Sequence, residues 1–292
     1  MKIAAAAYPV EWHNRWNDFV GKLRVWVRTG KEQGAELLVF PEYAALEIAS
    51  LAGEENARDP RRAVEAVVAR IGDVDDLHAS LAREFGVFLC AGSAPVKAET
   101  GQIVNRARLF APDGSRGVQD KLAPTAYERE ALGVVPGPGL TVFDTALGRV
   151  AVLIGEDVLL SGVSAELSAA GVDLILVPGQ TSSQAEYWRL RIGAMARALD
   201  CGCAVAQAVA VGDSNWLPAV ERSLGAAAVF VPPGTPEDGV LAIGKANTLG
   251  WTTADVDPAA LQALRAEPGP VAPILRRPLG PPAEAPEPAP EA

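Results

Sequence analysis

The chain reads as an α/β domain with a short tail, on three observations. Short runs rich in Val, Ile and Leu recur along it, each apolar throughout, which is the pattern of strands covered on both faces. Ala-rich amphipathic stretches alternate with these runs, as helices packed on such a sheet do. The 292 residues, 49% hydrophobic and 21% charged, can bury one large core without requiring two.

Taken in order, Ile3–Ala7 is the first apolar run and opens the sheet. A helix is expected over Trp16–Gln33, with Trp12, Trp16 and Trp26 on it and on its approach. Leu37–Phe40 is a strand that ends at Pro41-Glu42, and Pro60–Phe85 is a long helix. Val87–Ala91 and Val104–Phe110 follow as strands. Pro112-Asp113-Gly114 then marks a turn between two strands, because Pro presets one backbone angle and Gly accepts a positive one. Val150–Ile154, Leu174–Val177, Ala204–Ala210 and Ala226–Val231 complete the strands, with helices over Ser164–Ala170 and Tyr187–Asp200. Strand ends at Glu42, Gly155 and Pro178 are places where side chains can converge. The domain is assigned to residues 1–277. Residues 278–292 are rich in Pro, Ala and Glu, cannot bury apolar surface, and read as a disordered acidic tail.

A net charge of −10 argues against a nucleic-acid or anionic-membrane partner, since either needs clustered Lys and Arg. A small molecule or another protein is expected instead. The apolar stretch after Met1-Lys2 is too short for a signal-peptide core and no window reaches a membrane-spanning length, so a cytoplasmic location is expected. Three cysteines cannot all pair with one another, and Cys201-Gly202-Cys203, which opens an apolar run, reads as packed thiols. With His13 and His78 the only histidines, neither a metal site nor a cofactor is expected.

The chemistry-bearing residues fall in three blocks: Pro41-Glu42 at a strand end, Lys121-Leu122-Ala123-Pro124, and Val152-Leu153-Ile154-Gly155-Glu156-Asp157. An amide carbonyl is a poor electrophile, so its hydrolysis needs an activated nucleophile, a proton shuttle and a cation facing the developing oxyanion. In order and separation these blocks resemble the Glu, Lys and Cys blocks of the carbon–nitrogen hydrolase (nitrilase/amidase) superfamily. Gly155 stands where that family has its nucleophilic cysteine. The resemblance extends from about residue 3 to residue 277, through Ala91-Gly92-Ser93, Val142-Phe143-Asp144-Thr145, Gly171-Val172-Asp173 and Tyr187-Trp188-Arg189-Leu190-Arg191.

This resemblance implies that Glu42 is the general base, that Lys121 stabilises the tetrahedral intermediate, and that Glu128 is the second glutamate of one branch of the family. It also implies a four-layer α-β-β-α sandwich of two mixed sheets with outer helices, and a homodimer formed through the outer helices near Leu159-Leu160 and Val163. Glu156 and Thr181 are expected to touch substrate. Two further positions depart from the family: Ala123 replaces a common histidine, and Leu160-Ser161-Gly162 replaces Phe-Pro-Glu.

The expected function is that of an amidase-like family member whose covalent hydrolysis is lost or greatly weakened, with a small amide, nitrile or amine as ligand. Two alternatives stand beside it: a non-catalytic binding or sensor module, and slow hydrolysis by water that Glu42 activates. Thr181-Ser182-Ser183 is set aside as a replacement nucleophile, because no histidine lies near it to take the proton. Asp157 and Arg197 are expected to hold the walls of the site together. Trp216 and Trp251 are candidates for its mouth, and Ala44–Asn56, Thr181–Tyr187 and Asp213–Ser223 for its loops.

Overall fold

The computed structural model describes residues 1–234 and 236–266; the segment expected to be a disordered tail lies outside the described residues. In chain order the strands are β1 (Lys2–Tyr8), β2 (Leu37–Val39), β3 (Phe88–Lys97), β4 (Ile103–Phe110), β5 (Arg116–Asp120), β6 (Val142–Thr145), β7 (Gly148–Val152), β8 (Leu174–Gly179), β9 (Ala204–Ala210), β10 (Gly212–Asp213), β11 (Arg222–Ser223), β12 (Ala228–Phe230), β13 (Val240–Ile243) and β14 (Gly250–Asp255). The α-helices are α1 (Trp16–Glu32), α2 (Glu54–Arg58), α3 (Pro60–Phe85), α4 (Val163–Ala170), α5 (Gln184–Cys201) and α6 (Pro258–Ala266).

Two six-stranded halves make up the sheet. One runs β5-β4-β3-β2-β1-β14 and the other β6-β7-β8-β9-β12-β13, each parallel at its centre and antiparallel outside. The expected pair of mixed sheets is therefore present, with one addition: β1 and β9 join them through Ala7↔Val209 and Tyr8↔Ala210. Side chains alternate along β1 accordingly. Ile3, Ala5 and Ala7 enter the core shared with β7, β8 and β9, while Ala4, Ala6 and Tyr8 pack beneath α1 and α3. Leu190, Ala194 and Ala198 of α5 cover the other half from outside, which completes the four layers.

Local sequence explains where the long helices start and stop. Asp59 caps α3 by accepting from the Arg61 and Arg62 amides, Pro60 occupies the first turn, and Gly86 ends the helix in the left-handed conformation. Ser183 caps α5, which ends the same way at Gly202. The Pro112-Asp113-Gly114 turn joins β4 to β5 as expected. The segment expected to be the loop Ala44–Asn56 is instead a buried 3₁₀ helix, Ala44–Ala52, followed by α2; its Leu46 and Ile48 sit in the core. Among the described residues no helix is long and apolar enough to cross a membrane.

Candidate functional site

Glu42, Lys121, Glu128 and Gly155 come from four different segments and meet at the floor of one cavity of about 530 Å³. Glu42 follows β2. Its backbone is held by a close approach at β3: Gly92 has φ +68°, and a Cβ there would lie 1.9 Å from the Pro41 carbonyl oxygen, so only glycine lets the two segments meet. Lys121 follows β5, and its ammonium donates to Glu42 Oε1 at 2.8 Å and to Glu128 Oε2 at 2.7 Å. Glu128 is aimed by a reciprocal cap: the Thr125 amide donates to Glu128 Oε2 at 2.7 Å and the Glu128 amide to Thr125 Oγ1 at 3.2 Å.

Two residues not singled out from sequence complete this cluster. Asn105, in the middle of β4, donates through Nδ2 to Oε1 of Glu42 and of Glu128, both at 3.0 Å. Asn105 is wholly buried, and nothing in the mixed run around it announces that. Tyr43 sits at φ +63°, an unusual angle for a bulky residue, and its hydroxyl donates to Glu128. Nothing in its sequence context announces that angle.

The charges are set by this packing. Burial pushes the Glu42 carboxyl upward, and against the opposing Lys121 and with the help of Glu128 it reaches about 7. Burial also works against the Lys121 ammonium, but Glu42 and Glu128 more than reverse that and hold its pKa above the usual lysine value. Glu128 is buried as well, yet Lys121 and the Tyr43 and Thr125 donors keep it below the ordinary glutamate range.

Gly155 begins a 3₁₀ turn, Gly155–Leu159, shortly after β7, with φ +53°. A Cβ placed on it would lie 2.5 Å from Glu42 Oε2. That oxygen accepts no hydrogen bond among the described residues, so the carboxylate leans into the space a side chain at 155 would occupy. Asp157 clamps this turn to the lysine segment by accepting from the Leu122, Ala123 and Ile154 amides at 2.8–3.2 Å. Arg197 holds the turn from outside through the Val158 and Leu160 carbonyls.

Glu156 and Thr181 both line the cavity. Glu156 faces Arg189 at 3.7 Å, whereas the buried Thr181 hydroxyl donates to the Leu224 carbonyl at 2.6 Å, which leaves its oxygen but not its proton for a ligand. Ser182 donates to Glu186 and Ser183 caps α5, so both hydroxyls serve the helix start. Tyr127, Glu186, Arg189, Glu221 and Arg222 also line the walls. Trp216 and Trp251 do not line the mouth: Trp216 packs edge-on to Trp12, and Trp251 between Trp26 and Phe40. Their large apolar faces are used to seal the helix layer. Among the described residues no group of three or more His, Cys, Asp or Glu is arranged to hold a metal.

The carbon-nitrogen hydrolase family model matches residues 2–266. A probable hydrolase, YhcX, of Bacillus subtilis is 28% identical over 200 residues, which is 68% of this chain and 38% of that protein. The omega-amidase NIT2-A of Xenopus laevis is 27% identical over 154 residues, 49% of this chain and 55% of that one. The matches thus span about two fifths to a little over half of these relatives' length. Among solved structures, Saccharomyces cerevisiae Nit3 superposes with a TM-score of 0.69 at 19% identity, covering 91% of this chain and 93% of that one. A cysteine-to-alanine mutant of an amidase from Nesterenkonia sp. AN1, in complex with butyramide, gives 0.66 at 22% identity, covering 91% and 94%. These two share the fold, and the chain belongs to the carbon-nitrogen hydrolase family.

Proposed function

We propose that the protein is an amidase-like family member that binds a small amide and has lost covalent hydrolysis. The observation that carries this is the floor of the cavity: the Glu42–Lys121–Glu128 cluster is complete, and the position facing it, Gly155, has no atom to attack a carbonyl. Thioester chemistry has no nucleophile here. What is left is a binding site, with the Lys121 ammonium to meet a carbonyl oxygen and the open Oε2 of Glu42 to accept from an amide N–H. The Nesterenkonia amidase supports the reading by analogy, since its cysteine-to-alanine form was solved with butyramide.

A second activity rests on the same open oxygen. A carboxylate whose pKa is about 7 is matched to general-base work near neutral pH, so Glu42 is able to draw a proton from a water in the cavity. Any turnover by this route is slow, because binding and oxyanion stabilisation alone supply only a part of the family's rate enhancement.

The homodimer belongs to the same reading. Along α5, Trp188, Ile192 and Leu199 are 46%, 62% and 60% exposed at helical spacing, beside Leu159 at 40%, whereas Val163, expected at the interface, is buried in the core. Exposed apolar side chains aligned on one face of an outer helix are the kind of surface that a second subunit covers.

Thermal unfolding with butyramide and acetamide tests the central claim. Binding raises the melting temperature with the logarithm of ligand concentration above Kd, and Lys121→Ala abolishes the rise. No shift across a broad amide and amine panel would sink it. Ammonia release that disappears in Glu42→Gln identifies the water route, and release that survives that substitution excludes it.

A further inference from the structure

The cavity walls carry charges that the floor does not use. Five carboxylates (Glu42, Glu128, Glu156, Glu186 and Glu221) line the cavity against three bases (Lys121, Arg189 and Arg222), a formal excess of two negative charges that the raised pKa of Glu42 reduces near neutral pH. The excess is not spread evenly. Lys121 is shared by two glutamates on the floor, and Glu156 and Arg189 cancel each other at 3.7 Å on the wall. That leaves Glu186, Glu221 and Arg222 on the walls, a formal excess of one negative charge, and neither glutamate has a basic side chain at ion-pair distance among the described residues.

Glu186 is held in place and held ionised. Its Oε2 accepts from the Ser182 amide at 2.7 Å and the Ser182 hydroxyl at 2.8 Å. Partial burial works against its charge, but those donors, with the Ser183 amide and the charge of Arg189, keep its carboxyl below the ordinary range. Glu221 and Tyr127 line the same cavity, and burial, then the charge of Glu221, raises the Tyr127 phenol pKa. Tyr127 is 41% exposed, so one cavity wall offers an aromatic side chain as well as carboxylates. This pairing suits an organic cation, which the ring quadrupole and the carboxylate both attract.

Resting on the amide-binding role proposed above, we propose that the cavity selects a small amide that carries a positive charge, a primary ammonium or guanidinium, at the end remote from its carbonyl. The carboxamide sits over Lys121 and Glu42, and the cation meets Glu221, Glu186 and the Tyr127 ring. An anionic tail at the same place meets two carboxylates that Arg222, and Arg189 beyond its pairing with Glu156, offset only in part.

Calorimetric titration of the full chain with butyramide, γ-aminobutyramide and succinamate tests this, because the three share a chain length and differ in terminal charge. The expected result is γ-aminobutyramide binding at least roughly tenfold tighter than butyramide, with succinamate weakest and the spread narrowing as ionic strength rises. In a Glu186→Gln, Glu221→Gln variant, γ-aminobutyramide falls to the affinity of butyramide. Equal affinities, or succinamate binding most tightly, would overturn the charge preference and leave the amide-binding role standing. Failure of all three to bind would remove both.

Discussion

Two buried glutamates five residues apart, Glu42 and Glu47, are each paired with a lysine, and they differ in one respect that separates a site from a strut. Both oxygens of Glu47 are engaged. Oε1 accepts from the Tyr8 hydroxyl at 2.5 Å, and Oε2 from Lys22 at 2.6 Å and the Glu11 amide at 3.0 Å, with His13 Nε2 at 3.4 Å. Burial works against its charge, but Lys22 and His13 hold its pKa below the ordinary value. Glu42 has both its donors on Oε1 and leaves Oε2 open to the cavity, and its pKa rises to about 7. Saturated hydrogen bonding makes a buried carboxylate structural, and an oxygen left over makes it available to a ligand.

The largest effect expected from this contrast is at the saturated residue. Glu47→Gln leaves the buried Lys22 ammonium without its counter-charge and should cost about 3–5 kcal/mol, read by urea denaturation. A loss below about 1 kcal/mol would show that the cluster is not what ties the Ala44–Ala52 helix to β1 and α1.

The next effect is a pH dependence at Glu42. A carboxylate whose folded pKa is raised gives stability that is complete below its unfolded value of 4.5 and is lost as pH rises through about 7. The sign is therefore a loss of stability on going from pH 5 to pH 8, of the order of 2–3 kcal/mol from this group. Glu42→Gln removes the titration, so the difference in stability between those two pH values should shrink by that amount. An unchanged pH profile would contradict the raised value.

Gly155→Ala sharpens the comparison further. Its Cβ meets Glu42 Oε2 and its backbone stays at positive φ, for a cost of about 1–2 kcal/mol in unfolding free energy. Introduced into Glu42→Ala, the same change should cost only the backbone part, so a double-mutant cycle reads the contact directly. Simple additivity would mean that Glu42 does not lean into the vacated space. The smallest effect is Tyr43→Phe, which removes one donor from Glu128 and should cost about 1 kcal/mol. A neutral result there would show that Asn105, Thr125 and Lys121 suffice to hold Glu128.

Most of the sheet was legible because its central strands are buried on both faces and so are apolar without interruption; β1, β8 and β9 are examples. The strands that sequence does not announce are the polar or half-exposed ones. β14 (Gly250–Asp255) presents mixed side chains, and its pairing with β1 is set by tertiary register. The site shows the same division. Glu42, Lys121, Glu128 and Gly155 stand in recognisable blocks and do converge on one floor. Asn105 and Tyr43 depend on long-range contacts, across 63 and 85 residues of chain, that no local pattern encodes. Ala44–Ala52 illustrates the opposite error: an apolar segment beside a site is more readily explained by the core than by the pocket.

The most direct measurement is ammonia release from a panel of amides and nitriles by the chain as it stands beside Gly155→Cys, with folding of both checked by thermal unfolding. If the floor is intact and the thiol is what it lacks, the cysteine variant releases ammonia and the chain with Gly155 stays near background, even though the new side chain must first displace Glu42 Oε2. Comparable turnover by both, or a folded cysteine variant that remains silent, would contradict that claim.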